Sequence, residues 1–125
     1  MNDPYEISTL FSEQTYNMTN DELKKYKNLQ SLHLRYNSSI TDECISRLTS
    51  LTQLDLSYSS TITINGLKSL TNLTSLNLKS NREESFTIEA LNSLPSLKHL
   101  YTDSKRIILN DGYLRNGKYE IHMTM

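Results

Sequence analysis

Hydrophobic positions recur along this chain at a nearly constant interval. Each copy opens with an apolar residue, followed by a second apolar residue three positions later and usually a third five positions later. The opening residues are Ile7, Leu29, Leu51, Leu73 and Leu97. The interval is 22 residues three times and 24 once, where the charged stretch 82–85 adds two residues. A repeat of this length with L-x-x-L-x-L spacing predicts a solenoid built from stacked turns of chain.

Two periodicities within each copy predict a strand followed by a helix. Apolar and polar residues alternate in Leu32-His33-Leu34, which indicates a short strand with one buried face. From Ile40 onward the apolar residues are three to five positions apart, which indicates a short helix. A threonine stands at the start of this helix in four copies, where its hydroxyl can accept from free backbone N–H groups. These threonines are Thr19, Thr41, Thr63 and Thr87.

The copies must stack, because no single copy can bury its strand and helix leucines alone. The predicted fold is an α/β solenoid with a parallel β-sheet on the concave face and short helices on the convex face. Residues 1–6 are an N-terminal extension, and 7–103 hold the five repeats, of which the last is incomplete. Residues 104–125 are predicted to form a C-terminal β-hairpin cap, with its turn at Asn116-Gly117. The competing hypothesis for this last segment is a partly disordered tail.

The columns of the repeat resemble the leucine-rich repeat family over about residues 7 to 103. The sequence Ile40-Thr41-Asp42 further resembles the cysteine-containing subclass that is often found beside F-boxes. That subclass has longer repeats and a cysteine where this chain has Asn37, Ser59 and Asn81, and no F-box-like segment fits into residues 1–6. Short free-standing proteins of this kind also occur in large DNA viruses of amoebae and in intracellular bacteria. The resemblance implies that the concave sheet face binds another protein.

The composition of the chain mainly excludes classes of function. The net charge of −1 gives no overall attraction to nucleic acid or to an anionic membrane. No apolar run approaches the roughly 18 residues that a membrane span requires. The single cysteine, Cys44, has no internal disulfide partner, which favours a reducing interior. We therefore expect an intracellular protein, in the cytoplasm first of all, or in the host cell or virion if the source is viral.

The sequence contains few residues that could take part in catalysis or bind a metal ion. Cys44 shares its column with Gly66 and Ala90, so it is predicted to be a small buried side chain facing the neighbouring helix. Three dispersed histidines and one cysteine show no zinc-ligand spacing, so no metal or other cofactor is predicted. His33 and Asp55 fall in one outward column, and Ser31 or Ser57 would complete a Ser-His-Asp set. A flat parallel sheet supplies no oxyanion hole for such a set, so the chain is predicted not to be an enzyme.

Alternation along the strands identifies the side chains that face outward from the sheet. They form three columns and include charged, amide and aromatic residues, a mixture typical of protein contacts. Tyr36 and Tyr58 lie at the rim of this face in successive copies. The predicted contact residues are Phe11, His33, Arg35, Tyr36, Asp55, Tyr58, Asn77, Lys79 and Tyr101.

The sequence therefore predicts a non-catalytic protein-interaction module that binds its partner through the concave sheet face. One alternative is a substrate-recognition component of a ubiquitin-ligase-type assembly, for which the F-box is missing. Another is a nucleic-acid-associated protein, although the only cluster of bases lies at 105–118 and the sheet columns mix both signs of charge. Because the stack is short, formation of a homodimer through an end or a flank is a further alternative.

Overall fold

Six short strands pair in chain order into one parallel sheet. The structure is a computed structural model that describes residues 3–59, 61–103 and 120–124. The strands are β1 (Thr9–Leu10), β2 (Ser31–His33), β3 (Gln53–Asp55), β4 (Ser75–Asn77), β5 (His99–Asp103) and β6 (Glu120–Thr124). The helices are α1 (Ser12–Thr15), α2 (Asn20–Leu23), α3 (Asp42–Ile45), α4 (Ile64–Leu67) and α5 (Ile88–Asn92), and Pro4–Glu6 forms a 3-10 turn before β1.

The strand leucines of successive repeats lie side by side, as their shared column predicts. Leu32 pairs in register with Leu54, Leu54 with Leu76, and Leu76 with Leu100. All four are at most 2% exposed, and they belong to one hydrophobic core that also contains the helix residues Ile45, Leu67 and Leu91. The α/β solenoid predicted from the repeat is thereby confirmed, because one continuous apolar layer joins the sheet to the helices.

Four of the five helices begin directly after the predicted threonines. The hydroxyls of Thr19, Thr63 and Thr87 accept from backbone N–H groups in the first turn of their helices. Thr41 differs, because its hydroxyl makes no such bond. It accepts instead from the side-chain amide of Asn20, at 3.0 Å, so it joins two turns of the solenoid.

A line of buried polar side chains runs through the stack where each strand turns toward its helix. We call Thr15, Asn37, Ser59 and Asn81 the polar ladder. Asn37 donates to the carbonyls of Thr15 and Met18 in the preceding repeat. The hydroxyl of Ser59 donates to the Asn37 carbonyl, and the amide of Asn81 donates to the carbonyl of Ser59. Each rung thus binds backbone of the neighbouring turn, where water cannot reach.

The C-terminal strand β6 extends the sheet by running parallel to β5. Leu100 pairs with Ile121, and the backbone N–H of Glu120 donates to the Lys98 carbonyl at 2.7 Å. The predicted hairpin turn at Asn116-Gly117 lies outside the described residues, as does most of the segment 104–125 to which it belongs. The described part of that segment covers the edge of β5.

The column of small residues lies where neighbouring helices approach each other. Cys44 is 2% exposed, and burial raises the pKa of its thiol, as expected of a filler side chain. At Gly66 the approach is closer still: a β-carbon there would lie 2.6 Å from a carboxylate oxygen of Asp42 and 3.1 Å from its α-carbon. The same carboxylate accepts from the backbone N–H of Thr63, at 2.7 Å, and so ties α3 to α4.

Gly66→Val is therefore expected to lower the free energy of unfolding by about 1–3 kcal/mol, since the added carbons overpack the contact with Asp42. Urea unfolding followed by circular dichroism measures the loss. Asn65→Val adds a branched residue to the same helix at an exposed position and serves as the control. Equal losses in the two variants would argue that the loss at Gly66 does not come from the close approach to Asp42.

Candidate protein-interaction surface

The outward side chains of the strands form one surface, which we call the sheet face. Its central column follows the strand register from His33 to Asp55, Asn77, Tyr101 and His122. Phe11, directly after β1, stacks on His33 with ring centroids 5.4 Å apart, and so begins this column. The four predicted contact residues of the column from His33 to Tyr101 are all partly exposed.

His33 is held in place from both sides. Its Nδ1 lies 3.6 Å from a carboxylate oxygen of Asp55, and its Nε2 lies 3.3 Å from the Ser31 hydroxyl. The structure thus brings Ser31, His33 and Asp55 together in the order of a catalytic triad. The backbone N–H of Ser31 donates to the Ser8 carbonyl, and that of Leu34 donates to the Asp55 carbonyl. These contacts orient His33 within the polar column of the sheet face.

Arg35, Tyr36 and Tyr58 form an exposed group at the edge of the sheet face, which we call the tyrosine rim. The two rings lie 5.0 Å apart, and the guanidinium carbon of Arg35 lies 5.2 Å from the Tyr36 centroid and 4.8 Å from the Tyr58 centroid. The side chains of Tyr36 and Tyr58 remain 59% and 47% exposed. A hydrogen bond with Tyr36, followed by the charge interaction with it, raises the pKa of Arg35, so the guanidinium stays charged.

Both tyrosines of the rim adopt left-handed backbone conformations. Their φ angles are +65° and +56°, and Ser80 has +56° at the same position of the next repeat. Glycine or asparagine normally occupies such positions, because a β-carbon there clashes with the backbone at a cost of about 1–2 kcal/mol. The positive φ thus recurs at one position of three successive repeats, and two of the three residues there are exposed tyrosines.

Lys79 and Tyr101 continue the surface toward its C-terminal side. The Lys79 ammonium lies 5.8 Å from the centroid of Tyr101, and the Tyr101 ring also stacks on His122, with centroids 4.4 Å apart. Asn77 accepts from the backbone N–H of Lys79 and so fixes the end of β4. A shallow depression of about 180 Å³ opens between His33, Asp55, Asn77 and Tyr101.

Two expectations about outward residues need correction. By the alternation of outward residues Ser57 would share the column of Arg35 and Lys79, but it is only 4% exposed. The three histidines are predicted to be dispersed, but His99 Nδ1 lies 3.3 Å from His122 Nε2. The parallel pairing of β5 with β6 joins residues 23 positions apart. The alternation Glu120-Ile121-His122 is the sequence signal that identifies a strand there.

Across the residues that the structure describes, no helix is long and apolar enough to cross a membrane.

Comparison with known proteins identifies structures that share this architecture. No family model and no curated protein matches the sequence. Among solved structures, an internalin from Listeria monocytogenes is 28% identical over 87% of this chain, with a TM-score of 0.55. The fold is a leucine-rich repeat solenoid. The crystal structure of the yeast Rad7 and Elc1 complex matches 93% of the chain at 20% identity, with a TM-score of 0.61. This chain spans about a third of the length of the matched chain in each of these two structures.

Proposed function

We propose that this leucine-rich repeat chain is a non-catalytic interaction module that binds a partner protein through the sheet face and the tyrosine rim. The observation that carries the proposal is the pair Tyr36 and Tyr58, held exposed around Arg35 at strained backbone positions. In the free protein this arrangement is locally unfavourable. A partner that covers both rings and the guanidinium would provide the compensating contacts.

The residue types of the surface support a protein partner. Tyrosine and arginine dominate the energetics of protein interfaces, because they bury a large area with few rotatable bonds and also offer polar contacts. On the sheet face the basic Arg35 and Lys79 alternate with the acidic Asp55 and Asp103. A nucleic-acid surface needs a continuous basic stripe, so this alternation favours a protein. One solved structure of similar fold is a complex of two proteins, Rad7 and Elc1 from yeast.

The number of residues on the surface limits the size of the interface that it can form. The sheet face and rim offer roughly 15 to 20 residues, whereas a standard interface takes about 20–30 residues and about 800 Å² on each side. We therefore propose a modest interface if the sheet face acts alone. Contact with the flanks of the solenoid, or dimerisation of this chain, would enlarge it. The buried free thiol of Cys44 supports an intracellular setting, with the cytoplasm as the first choice.

The test removes the two rings without disturbing the backbone. A partner is first identified by affinity capture from the source cell and then purified, and its Kd is measured by calorimetry. Tyr36→Gly together with Tyr58→Gly is expected to weaken binding at least about thirtyfold, which corresponds to about 2 kcal/mol. The folded state is expected to be unharmed, because glycine adopts these φ values without strain.

Two controls give the result its meaning. Tyr16→Ala removes an exposed tyrosine outside the rim and is expected to leave the Kd within about twofold of the unaltered chain. Arg35→Ala combined with Tyr36→Ala and Tyr58→Ala is expected to abolish measurable binding. Full affinity in the triple variant would move the interaction away from the sheet face. Capture of a ubiquitin-ligase adaptor would favour a role as the substrate-recognition component of a ubiquitin-ligase-type assembly. Salt-sensitive binding of nucleic acid would favour a nucleic-acid-associated protein.

A further inference from the structure

Three potential metal ligands converge on the sheet face at its C-terminal edge. His99 Nδ1 and His122 Nε2 are 3.3 Å apart, and one carboxylate oxygen of Glu120 lies 3.6 Å from each of them. These atoms form the one group of three His, Cys, Asp or Glu ligands, among the described parts of the chain, that could hold a metal ion. They belong to the neighbouring strands β5 and β6.

The parallel pairing explains why the three atoms meet. Glu120 and His122 are two residues apart on β6, so both side chains leave the same face of the sheet. The register places Glu120 opposite His99 and His122 opposite Tyr101. Tyr101 then stacks on the His122 ring at 4.4 Å with an interplanar angle of 14°, which restricts rotation of that imidazole. All three ligands are therefore positioned by the pairing of β5 with β6, and His122 is further oriented by the ring of Tyr101.

The separation of the atoms matches a transition-metal ion. The point equidistant from the three atoms lies about 2.0 Å from each, which is the usual zinc–nitrogen and zinc–oxygen bond length. Tetrahedral coordination at that bond length puts ligand atoms about 3.3 Å apart. An ion can therefore enter with only small adjustments of the side chains.

We propose that His99, Glu120 and His122 form a binding site for a divalent transition-metal ion of the zinc class. Two imidazole nitrogens and one carboxylate oxygen suit Zn²⁺, Co²⁺ or Ni²⁺, whereas Mg²⁺ and Ca²⁺ select oxygen ligands. The side chains are 43%, 72% and 38% exposed in chain order, so the fourth position is open to water or to a donor atom of a bound partner. A bound ion would also link β6 to the repeat stack.

The site is tested with the full chain and the metal ions alone. Calorimetric titration with Zn²⁺ is expected to give one site per chain. Co²⁺ is expected to produce the visible absorption of a low-coordinate complex. His99→Gln, Glu120→Gln and His122→Gln are each expected to weaken Zn²⁺ binding at least about tenfold. Mg²⁺ at the same concentration is expected to give no comparable heat.

His33→Gln is the matched control, because it removes a histidine from the same face and leaves the three ligands intact. Its Zn²⁺ affinity is expected to equal that of the unaltered chain, and circular dichroism verifies that every variant is folded. The proposal is overturned if Zn²⁺ does not bind, if Mg²⁺ binds as well as Zn²⁺, or if His33→Gln weakens binding as much as the three ligand variants do.

Discussion

Asn37→Ala is expected to lower the free energy of unfolding by about 3 kcal/mol or more, although the residue is polar and belongs to no helix or strand. Its amide group donates to the carbonyls of Thr15 and Met18, at 2.6 and 3.0 Å. Its carbonyl oxygen accepts from the backbone N–H groups of Ser39 and Ile40, at 2.8 and 2.9 Å. Alanine would remove all four bonds, although the Thr15 carbonyl would keep the one it accepts from the backbone N–H of Met18. Each buried backbone group that is left unsatisfied costs about 1–3 kcal/mol.

Two further variants separate this effect from a general preference for asparagine. Asn72 is exposed and makes a single bond to the Thr49 carbonyl, so Asn72→Ala is expected to change stability by about 0.5 kcal/mol or less. Asn37→Ser is expected to fall between the two, because Ser59 occupies the same column and makes one bond to the preceding turn. Urea unfolding measures all three. If Asn37→Ala loses no more than Asn72→Ala, water replaces the side chain and the polar ladder contributes little to stability.

Leu54→Ala is expected to be the most damaging substitution in the sheet, with a loss of about 2–5 kcal/mol. Leu54 is 2% exposed on the central strand β3, between Leu32 and Leu76. In a solenoid each turn packs only on its neighbours, so a cavity in a middle turn weakens two interfaces at once. The midpoint of urea unfolding is expected to fall accordingly.

Two substitutions serve as controls for Leu54→Ala, one on the same strand and one in the first strand of the stack. Gln53→Ala alters an exposed side chain of β3 and is expected to leave stability nearly unchanged. Leu10→Ala makes a comparable cavity in the terminal strand β1, which pairs with β2 alone, so its loss is expected to be smaller than that of Leu54→Ala. Equal losses at Leu10 and Leu54 would argue against stability that is summed over neighbouring turns.

The repeat could be predicted because it is local and recurs. Alternation identified the strands, threonines marked the starts of the helices, and a common spacing placed Leu32, Leu54 and Leu76 on adjacent parallel strands. The same regularity identified the small residue at Gly66, since one column of the repeat faces the neighbouring helix. Each of these features depends on a period that one sequence displays several times.

The candidate surface was predictable in outline only. Alternation shows which side chains leave the sheet, but it does not show which of them stack. The approach of Arg35 to both tyrosines depends on rotamers and on positive φ angles, which the residue types Tyr36 and Tyr58 do not suggest. For the same reason the asparagines of the polar ladder were recognisable as a column, while the carbonyls that they bind were not.

By itself the sequence determined the solenoid, its register and its buried leucines, because stacking is the only way for copies of 22 residues to hide their apolar faces. Only the tertiary structure decided that β6 lies parallel to β5 and that His99 therefore meets Glu120 and His122. That pairing occurs once and joins positions that are distant in the sequence, so it cannot be predicted from a repeated spacing. Periodic features recur several times along the sequence. A single long-range contact instead depends on which segment of the folded chain pairs with the last strand of the stack.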